Sequence, residues 1–192
     1  MAAPTTGPYL VSATYFAGFI RALRGRTLLT PAIEAELPQP QREMVAMPWS
    51  TRWWEGGATE GLTTIMLQRH GPALLEEVGF LTTRNSVGPL ITPLVSVIGA
   101  LFGLRPSTLF ERIGELATTS IRGVSFDWKS TGPSTGTLTI IYPTPFGGPT
   151  VAPLWQGTCR FIFETSKTPG QVTATEIDGS KVTLTVSWEA KR

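Results

Sequence analysis

Residues 153–164, PLWQGTCRFIFE, hold the only cysteine of the chain and one of its six tryptophans. They are either an exposed thiol beside an aromatic ring or the buried side of a helix. A helix over 151–164, capped by Thr150 with Pro153 in its first turn, places Val151, Leu154, Trp155, Cys159, Ile162 and Phe163 on one broad arc, at about 100° per residue. Gln156, Arg160 and Glu164 form the opposite polar stripe at i, i+4 spacing. Gly157 is the one discord, since glycine inside a helix costs about 1 kcal/mol relative to alanine. A reactive thiol needs a nearby cation or a helix N-terminus to lower its pKa, whereas Cys159 is mid-helix and the adjacent Arg160 belongs to the polar stripe. The pattern therefore predicts a helix with a buried, structural cysteine. One functional use of the arc stays open: it could line a small-molecule cavity.

The flanking sequence alternates with period two. In GVSFDWKST (123–131), Val124, Phe126 and Trp128 interleave with Ser125, Asp127 and Lys129, as in a half-buried strand. GPSTG (132–136) turns the chain into TLTIIY (137–142), and PTPFGGP (143–149) reads as a loop. QVTATEI (171–177) and KVTLTVSW (181–188) flank a turn at Asp178-Gly179, a strong hairpin signal. Residues 120–192 thus read strand–strand–helix–strand–strand. Two hairpins joined by a crossover helix make an antiparallel-rich sheet with the helix packed on one face.

Residues 1–119 read as a helical layer. Over 15–23, Phe16, Phe19, Ile20 and Leu23 share a face, and Gly25 is a plausible stop. Arg21, Arg24 and Arg26 make a solvated helix end. Thr30-Pro31 resembles an N-cap followed by proline at the first helical position. LPQPQREMVAMPWS (37–50) reads as a proline-punctuated connection. Trp49, Trp53 and Trp54 then cluster, either to anchor a loop or short helix on the core or to meet a partner. Helices are predicted over 60–69 and 72–81, with His70 and Gly71 at their junction, where a potentially cationic ring suits a helix C-terminus. Residues 85–104 carry no charge. Pro89 and Pro93 interrupt that run, leaving helix over 93–104, and twelve residues span roughly 18 Å against the roughly 30 Å of a hydrocarbon core. A core helix rather than a membrane span is expected. Ser107 is a candidate N-cap for TLFERIGELAT (108–118). The fold class expected is α+β, one domain over 1–192: an N-terminal helical layer, then a ββαββ antiparallel-rich sheet with a crossover helix.

Composition narrows function. The chain has 192 residues, 41% hydrophobic and 16% charged, with net charge +2. That charge is too small to imply a nucleic-acid partner or an electrostatically held membrane. One cysteine excludes an internal disulfide, and with one histidine it leaves no ordinary zinc site; no metal or other cofactor is expected. The N-terminal MAAPTTGPYLVSATYFAGF lacks the basic start and long apolar run of a signal peptide, so a cytoplasmic setting is expected. Catalytic sets are poor. The Glu76 and Glu77 side chains diverge by about 100° on a helix and are not expected to share a site. TPFGGPT (144–150) lacks the lysine and spacing of a phosphate loop. GPSTG matches the serine-hydrolase pattern with Ser134 as nucleophile, yet a strand follows where that motif needs a helix, so a hairpin turn is expected.

YFAGFIRAL (15–23), LPQPQREMVAMPWSTRWWEGG (37–57), GPALLEEVG (71–79), APLWQGTCRFIFE (152–164) and QVTATEIDGSKVTLTVSW (171–188) carry a resemblance. The chain resembles a myxobacterial family of paralogous proteins of unknown function and, more distantly, the haem-nitric-oxide-binding and vinyl-reductase-like domains. The resemblance implies a ligand-sensing or protein-interaction module more than an enzyme. A haem-binding relative would need an axial histidine and a Tyr-x-Ser-x-Arg propionate clamp. His70 lies at a helix boundary and the clamp is missing, as are the metal-binding cysteines of the vinyl-reductase-like domains.

The expected function is a non-catalytic module that binds a small apolar ligand or a protein partner. Candidate walls of an aromatic cleft between helices and sheet are Phe126, Trp128, Tyr142, Trp155 and Cys159, and Trp49, Trp53 and Trp54 are candidates for partner binding. Self-association is a further candidate. Two alternatives stand beside this: a cyclase- or isomerase-type enzyme on an apolar substrate, using Glu111, Tyr142 or His70 as acid or base, and a structural or assembly protein using the tryptophan-rich loop.

Overall fold

In the computed structural model, which describes residues 8–102, 104–143 and 150–189, the described chain opens on a strand that the sequence pattern does not announce. β1, Leu10–Ser12, runs straight into α1, Ala13–Gly25. The Ser12 hydroxyl caps that helix, accepting from the Tyr15 N–H at 3.2 Å. α2, Pro31–Glu36, is capped by Thr30 as predicted. The stretch read as a connection over 37–50 instead contains α3, Gln39–Ala46. Its prolines do not prevent this, because Pro38 and Pro40 sit at the helix start, where no intrahelical N–H bond is lost.

β2, Trp53–Glu55, pairs antiparallel with β1, placing Trp54 opposite Val11 and Trp53 opposite Ser12. α4, Gly56–His70, and α5, Pro72–Thr82, meet at Gly71, whose φ of 79° is the left-handed value that favours glycine. His70 ends α4, where its Nε2 lies 2.8 Å from the Leu28 carbonyl. After α5 the helical path continues through a π-turn, Thr83–Val87, into α6, Gly88–Phe102. A helix starting only at Pro93 is thus corrected: α6 runs through that proline. Pro93 is exposed, so the Pro89 carbonyl that it leaves without an N–H is also on the exposed side. The Thr92 and Ser96 hydroxyls bond back to the Gly88 and Thr92 carbonyls. Among the described residues no helix is long and apolar enough to cross a membrane.

α7, Pro106–Glu111, starts one residue before the predicted cap, with Arg105 at the cap position, and α8, Ile113–Ala117, leads into β3, Ile121–Arg122. β3 pairs with β1, so a small sheet of order β2-β1-β3 ties the N-terminus to the middle of the chain. β4, Ser125–Gly132, and β5, Thr135–Ile141, form the first predicted hairpin. α9, Ala152–Ser166, is the crossover helix. β6, Gly170–Ile177, and β7, Lys181–Trp188, form the second hairpin. The second sheet has order β4-β5-β7-β6, antiparallel throughout, so the fold is α+β. Within the 143–149 loop, residues 144–149 lie outside the described residues, as do residues 1–7 of the N-terminal stretch.

The arc of α9 is buried as its periodicity predicts, from Val151 through Phe163, while Glu164 is exposed. Leu138, Ile140, Val182, Leu184 and Val186 of the sheet join the arc and the helical layer in one apolar cluster. Glu76 and Glu77 do converge, against expectation. Both carboxylates lie within 4 Å of the Arg160 guanidinium, at 3.1 and 3.8 Å, because the polar stripe of α9 faces α5 and long side chains bridge the angular gap. Arg24 and Arg26, read as a solvated end, make ion pairs with Glu34 and Glu77.

Candidate functional site

α9 lies between the helical layer and the sheet, and Trp155 projects from it into a group of aromatic rings. The Phe126 ring meets Trp155 edge-on at 5.2 Å, and the Trp155 indole N–H donates to the Tyr142 hydroxyl. Tyr142 in turn meets Tyr9 edge-on at 5.2 Å. Phe126, Tyr142 and Trp155 are therefore brought together. Trp128 stacks on Phe110 at 4.8 Å and tilts toward Trp188, further along β4. Cys159 is fully buried, and burial pushes its thiol pKa well up from 9.0.

Two small cavities adjoin Trp155. The first, about 50 Å³, is bounded by Tyr15 of α1, Thr83 and Val87 of the π-turn, Ile113 of α8, and Trp155 and Thr158 of α9. The second, about 40 Å³, is bounded by Tyr9, Tyr15, Thr59, Glu60, Tyr142 and Trp155. Tyr15, Ile121 and Trp155 are shared between them. Of the sequence-derived ligand candidates, Trp155 lines both cavities and Tyr142 the second, whereas Phe126, Trp128 and Cys159 line neither.

Apart from Ser120, the polar groups on the wall of the first cavity form one connected edge. The Tyr15 hydroxyl bonds Thr158, the Thr158 and Thr83 hydroxyls are 3.0 Å apart, and Thr83 donates to the Gly79 carbonyl at 2.9 Å. Thr82 likewise donates to the Val78 carbonyl. Two successive threonines bonding back into the preceding turn accompany the widened turn here, which carries Thr83 and Val87 to the cavity wall. Gly18 of α1 admits the π-turn closely, since a Cβ there would lie 1.9 Å from the Ser86 hydroxyl.

All three tyrosines of the chain reach the second cavity. Burial pushes Tyr15 from 10.0 up to about 12, with the Thr158 bond opposing the shift. Burial also raises Tyr9 and Tyr142, and the nearby Glu60 charge raises both further. At neutral pH these phenols are uncharged hydrogen-bonding walls. The three acid–base candidates are dispersed: Glu111 is exposed at the end of α7, His70 is engaged with Leu28, and Tyr142 is in the core.

The tryptophan-rich loop divides its three rings. Trp54 packs on Phe16 at 5.7 Å and donates from its indole to the Pro48 carbonyl at 2.9 Å. The Arg122 guanidinium carbon lies over Trp53, 4.1 Å from the centroid of its ring. Trp49 is 59% exposed.

The arrangement of an N-terminal helical layer, a crossover helix and a four-stranded antiparallel sheet matches solved structures over nearly its whole length. An Fe(II) unliganded H-NOX protein from K. algicida aligns with TM-score 0.64 at 10% identity, covering 94% of this chain and 97% of its own. A mutant of that protein gives TM-score 0.66 at 10% identity, covering 93% and 97%. A Cs H-NOX mutant gives 0.61 at 12%, again covering 93% and 97%. The chain has the H-NOX fold. No family model matches the sequence, and no curated protein matches it.

Structures with this fold include ones concerned with haem distortion in the H-NOX family, so haem is the group the fold implies. The residues present do not fit it. A cavity needs roughly 10–15 Å³ for each water it holds, so about 50 Å³ admits only a few atoms and no porphyrin. Among the described residues neither cavity is lined by histidine, cysteine or methionine, and the tyrosine hydroxyls are engaged with Thr158, with Trp155 and with one another. Among the described residues neither is lined by arginine or lysine to meet propionates, and the one charged side chain in their walls is the carboxylate of Glu60. Among the described residues no group of three metal-ligating side chains comes together.

The sequence signals missed Tyr9, Tyr15, Glu60, Thr83 and Thr158. Tyr9 and Tyr15 flank a strand of three residues, too short to show a period, and nothing in the residue pattern marks the π-turn.

Proposed function

We propose that residues 1–192 act as one cytoplasmic, haem-independent ligand-sensing domain of H-NOX fold. A small apolar molecule enters the cavity between α1, the π-turn and α9. The supporting observation is the apolar cavity itself, walled by Val87, Ile113 and Ile162 and edged by the Tyr15–Thr158–Thr83 hydroxyls. A cavity near 150 Å³ takes up benzene, so one of about 50 Å³ suits a smaller molecule, a dissolved gas or a short hydrocarbon carrying at most one polar group. An uncharged wall fits a neutral ligand, and the threonine edge supplies one hydrogen-bonding direction.

Xenon provides the test because it fills apolar voids without chemistry. Methyl-labelled protein under xenon pressure should show saturable NMR shifts at Val87, Ile91, Ile113 and Ile162. Ala117→Leu, which extends a cavity-lining side chain into the void, should abolish them. Shifts confined to surface methyls, or equal shifts in the Ala117→Leu protein, would remove the support for a ligand site. Titration with haemin should give no saturable Soret change.

A second reading, a protein-interaction module, is favoured by the exposure of Met47 and Trp49, the two most exposed large hydrophobic side chains of the described residues.

A further inference from the structure

We propose that the groove between α3 and the start of α4 is a docking surface for a basic amphipathic helix of a protein partner. The groove, about 400 Å³, is bounded by Pro40, Glu43, Met44 and Met47 on one side and by Trp54, Glu55 and Ala58 on the other. Pro40, Glu43 and Met47 stand at i, i+3, i+7 on α3 and the loop after it, so they form one ridge. Met47 is 61% exposed, and Trp49, two residues on in the adjoining loop, is 59% exposed.

That exposure is built in. The Trp54 indole holds the Pro48 carbonyl at 2.9 Å, and the Trp54 ring rests on Phe16 of α1. The Met47 N–H bonds the Glu43 carbonyl, and the Ser50 N–H bonds the Met47 carbonyl. The loop is thereby pinned at Pro48, with Met47 before it and Trp49 after it both exposed. A flexible thioether and an exposed indole are the side chains most used where a surface must accept an apolar partner.

Charge selects the kind of partner. The chain as a whole is net positive, yet among the described residues the only charged side chains bounding this groove are the carboxylates of Glu43 and Glu55. Neither makes an ion pair among the described residues. Among the described residues the Glu43 carboxylate accepts from the Gln39 amide alone, at 2.9 Å. Arg42, its neighbour, is turned away and contacts the Ala35 carbonyl at 3.4 Å. An apolar trough with a free carboxylate on either side complements a helix with apolar residues at i, i+3, i+4 and i+7 and Lys or Arg beside them.

The test uses the whole chain and three dye-labelled helical peptides of one length: Leu on one face with Lys elsewhere, Leu with Glu, and Lys with Ser. The Leu/Lys peptide should bind saturably by fluorescence anisotropy and weaken with added salt, whereas the other two should not bind. Trp49→Ala and Glu43→Gln/Glu55→Gln should each weaken it on the order of tenfold. Since these side chains are exposed, the variants should keep the parental unfolding midpoint, measured alongside. Binding that ignores the substitutions, or equal binding of the Leu/Glu peptide, overturns the proposal. So does a concentration-dependent dimer abolished by Trp49→Ala, which would make a second copy the occupant. Partition onto phosphatidylserine vesicles in place of peptide binding would do the same for a membrane.

Discussion

Gly157 of α9 lies against the backbone carbonyl of Glu76 in α5, so close that a Cβ at 157 would stand 2.0 Å from that oxygen and 2.5 Å from the Phe80 nitrogen. The contact is reciprocal, since a Cβ at Gly79 of α5 would stand 2.4 Å from the Leu154 carbonyl. The two helices meet backbone to backbone, and that approach sets how near α9 and its Trp155 come to the helical layer.

Gly157→Ala is therefore expected to destabilise the fold, although alanine is the better helix former by about 1 kcal/mol. The atoms it meets are backbone and cannot rotate away, so a net loss of about 1–3 kcal/mol is expected. Gly114→Ala is the control: its Cβ would meet nothing closer than the Phe126 Cβ at 3.7 Å, so it should be neutral or stabilising. Urea unfolding of both variants decides this, and equal midpoints would refute the close-approach account.

Cys159 should be chemically silent in the folded state. It is fully buried, and its thiol is held protonated by its apolar surroundings. A thiol reagent at pH 8 should react at the rate of global unfolding and become fast in denaturing urea. Cys159→Ala should cost stability by leaving a small void, without changing xenon uptake or peptide binding. Rapid labelling of the native protein would contradict this.

Much of the fold was legible because burial in this chain follows simple periods. Leu138, Ile140, Val182, Leu184 and Val186 alternate along their strands, and Asp178-Gly179 marks the turn between the last two. The α9 arc was legible for the same reason, and Gly157, its one discord, is explained by a neighbouring helix that no local pattern encodes. β1 and its pairing with β3 were not legible, since three residues are too few to display a period and the pairing joins residue 10 to residue 122. At the candidate site only Trp155 and Tyr142 were foreseen. Thr83 and Thr158 meet across 75 residues of chain, through a π-turn that has no compositional sign.

Tyr142→Phe should be costly despite its small change in volume. The Trp155 indole N–H donates to the Tyr142 hydroxyl in the core, and Tyr9 bonds the same hydroxyl. Removing that oxygen leaves a buried donor without its acceptor, a cost of about 1–3 kcal/mol. The double variant Tyr142→Phe/Trp155→Phe should lose less than the sum of the two single losses, because it removes the stranded donor as well. Strictly additive losses in that cycle would show that the hydrogen bond contributes nothing.

Alkaline pH should destabilise the protein in two stages whose order follows from the ordinary pKa values of a thiol and a phenol. Cys159, Tyr9, Tyr15 and Tyr142 all have folded-state pKa values raised by desolvation, Tyr15 from 10.0 to about 12. Above its ordinary pKa each group is ionised in the unfolded chain while still protonated in the folded one. The unfolded state then binds fewer protons, so stability falls with rising pH by about 1.4 kcal/mol per unit and group. The stabilisation is complete below the ordinary value and is lost as pH climbs from there through the raised one. Cys159 opens this window near pH 9 and the tyrosines near pH 10. Urea midpoints should be flat from pH 7 to 8, decline gently above that, and drop steeply beyond pH 10. In Cys159→Ala the first decline should vanish while the second stays. A parental midpoint that holds level to pH 11 would mean that water reaches these hydroxyls and that the cavities beside Trp155 are open to solvent.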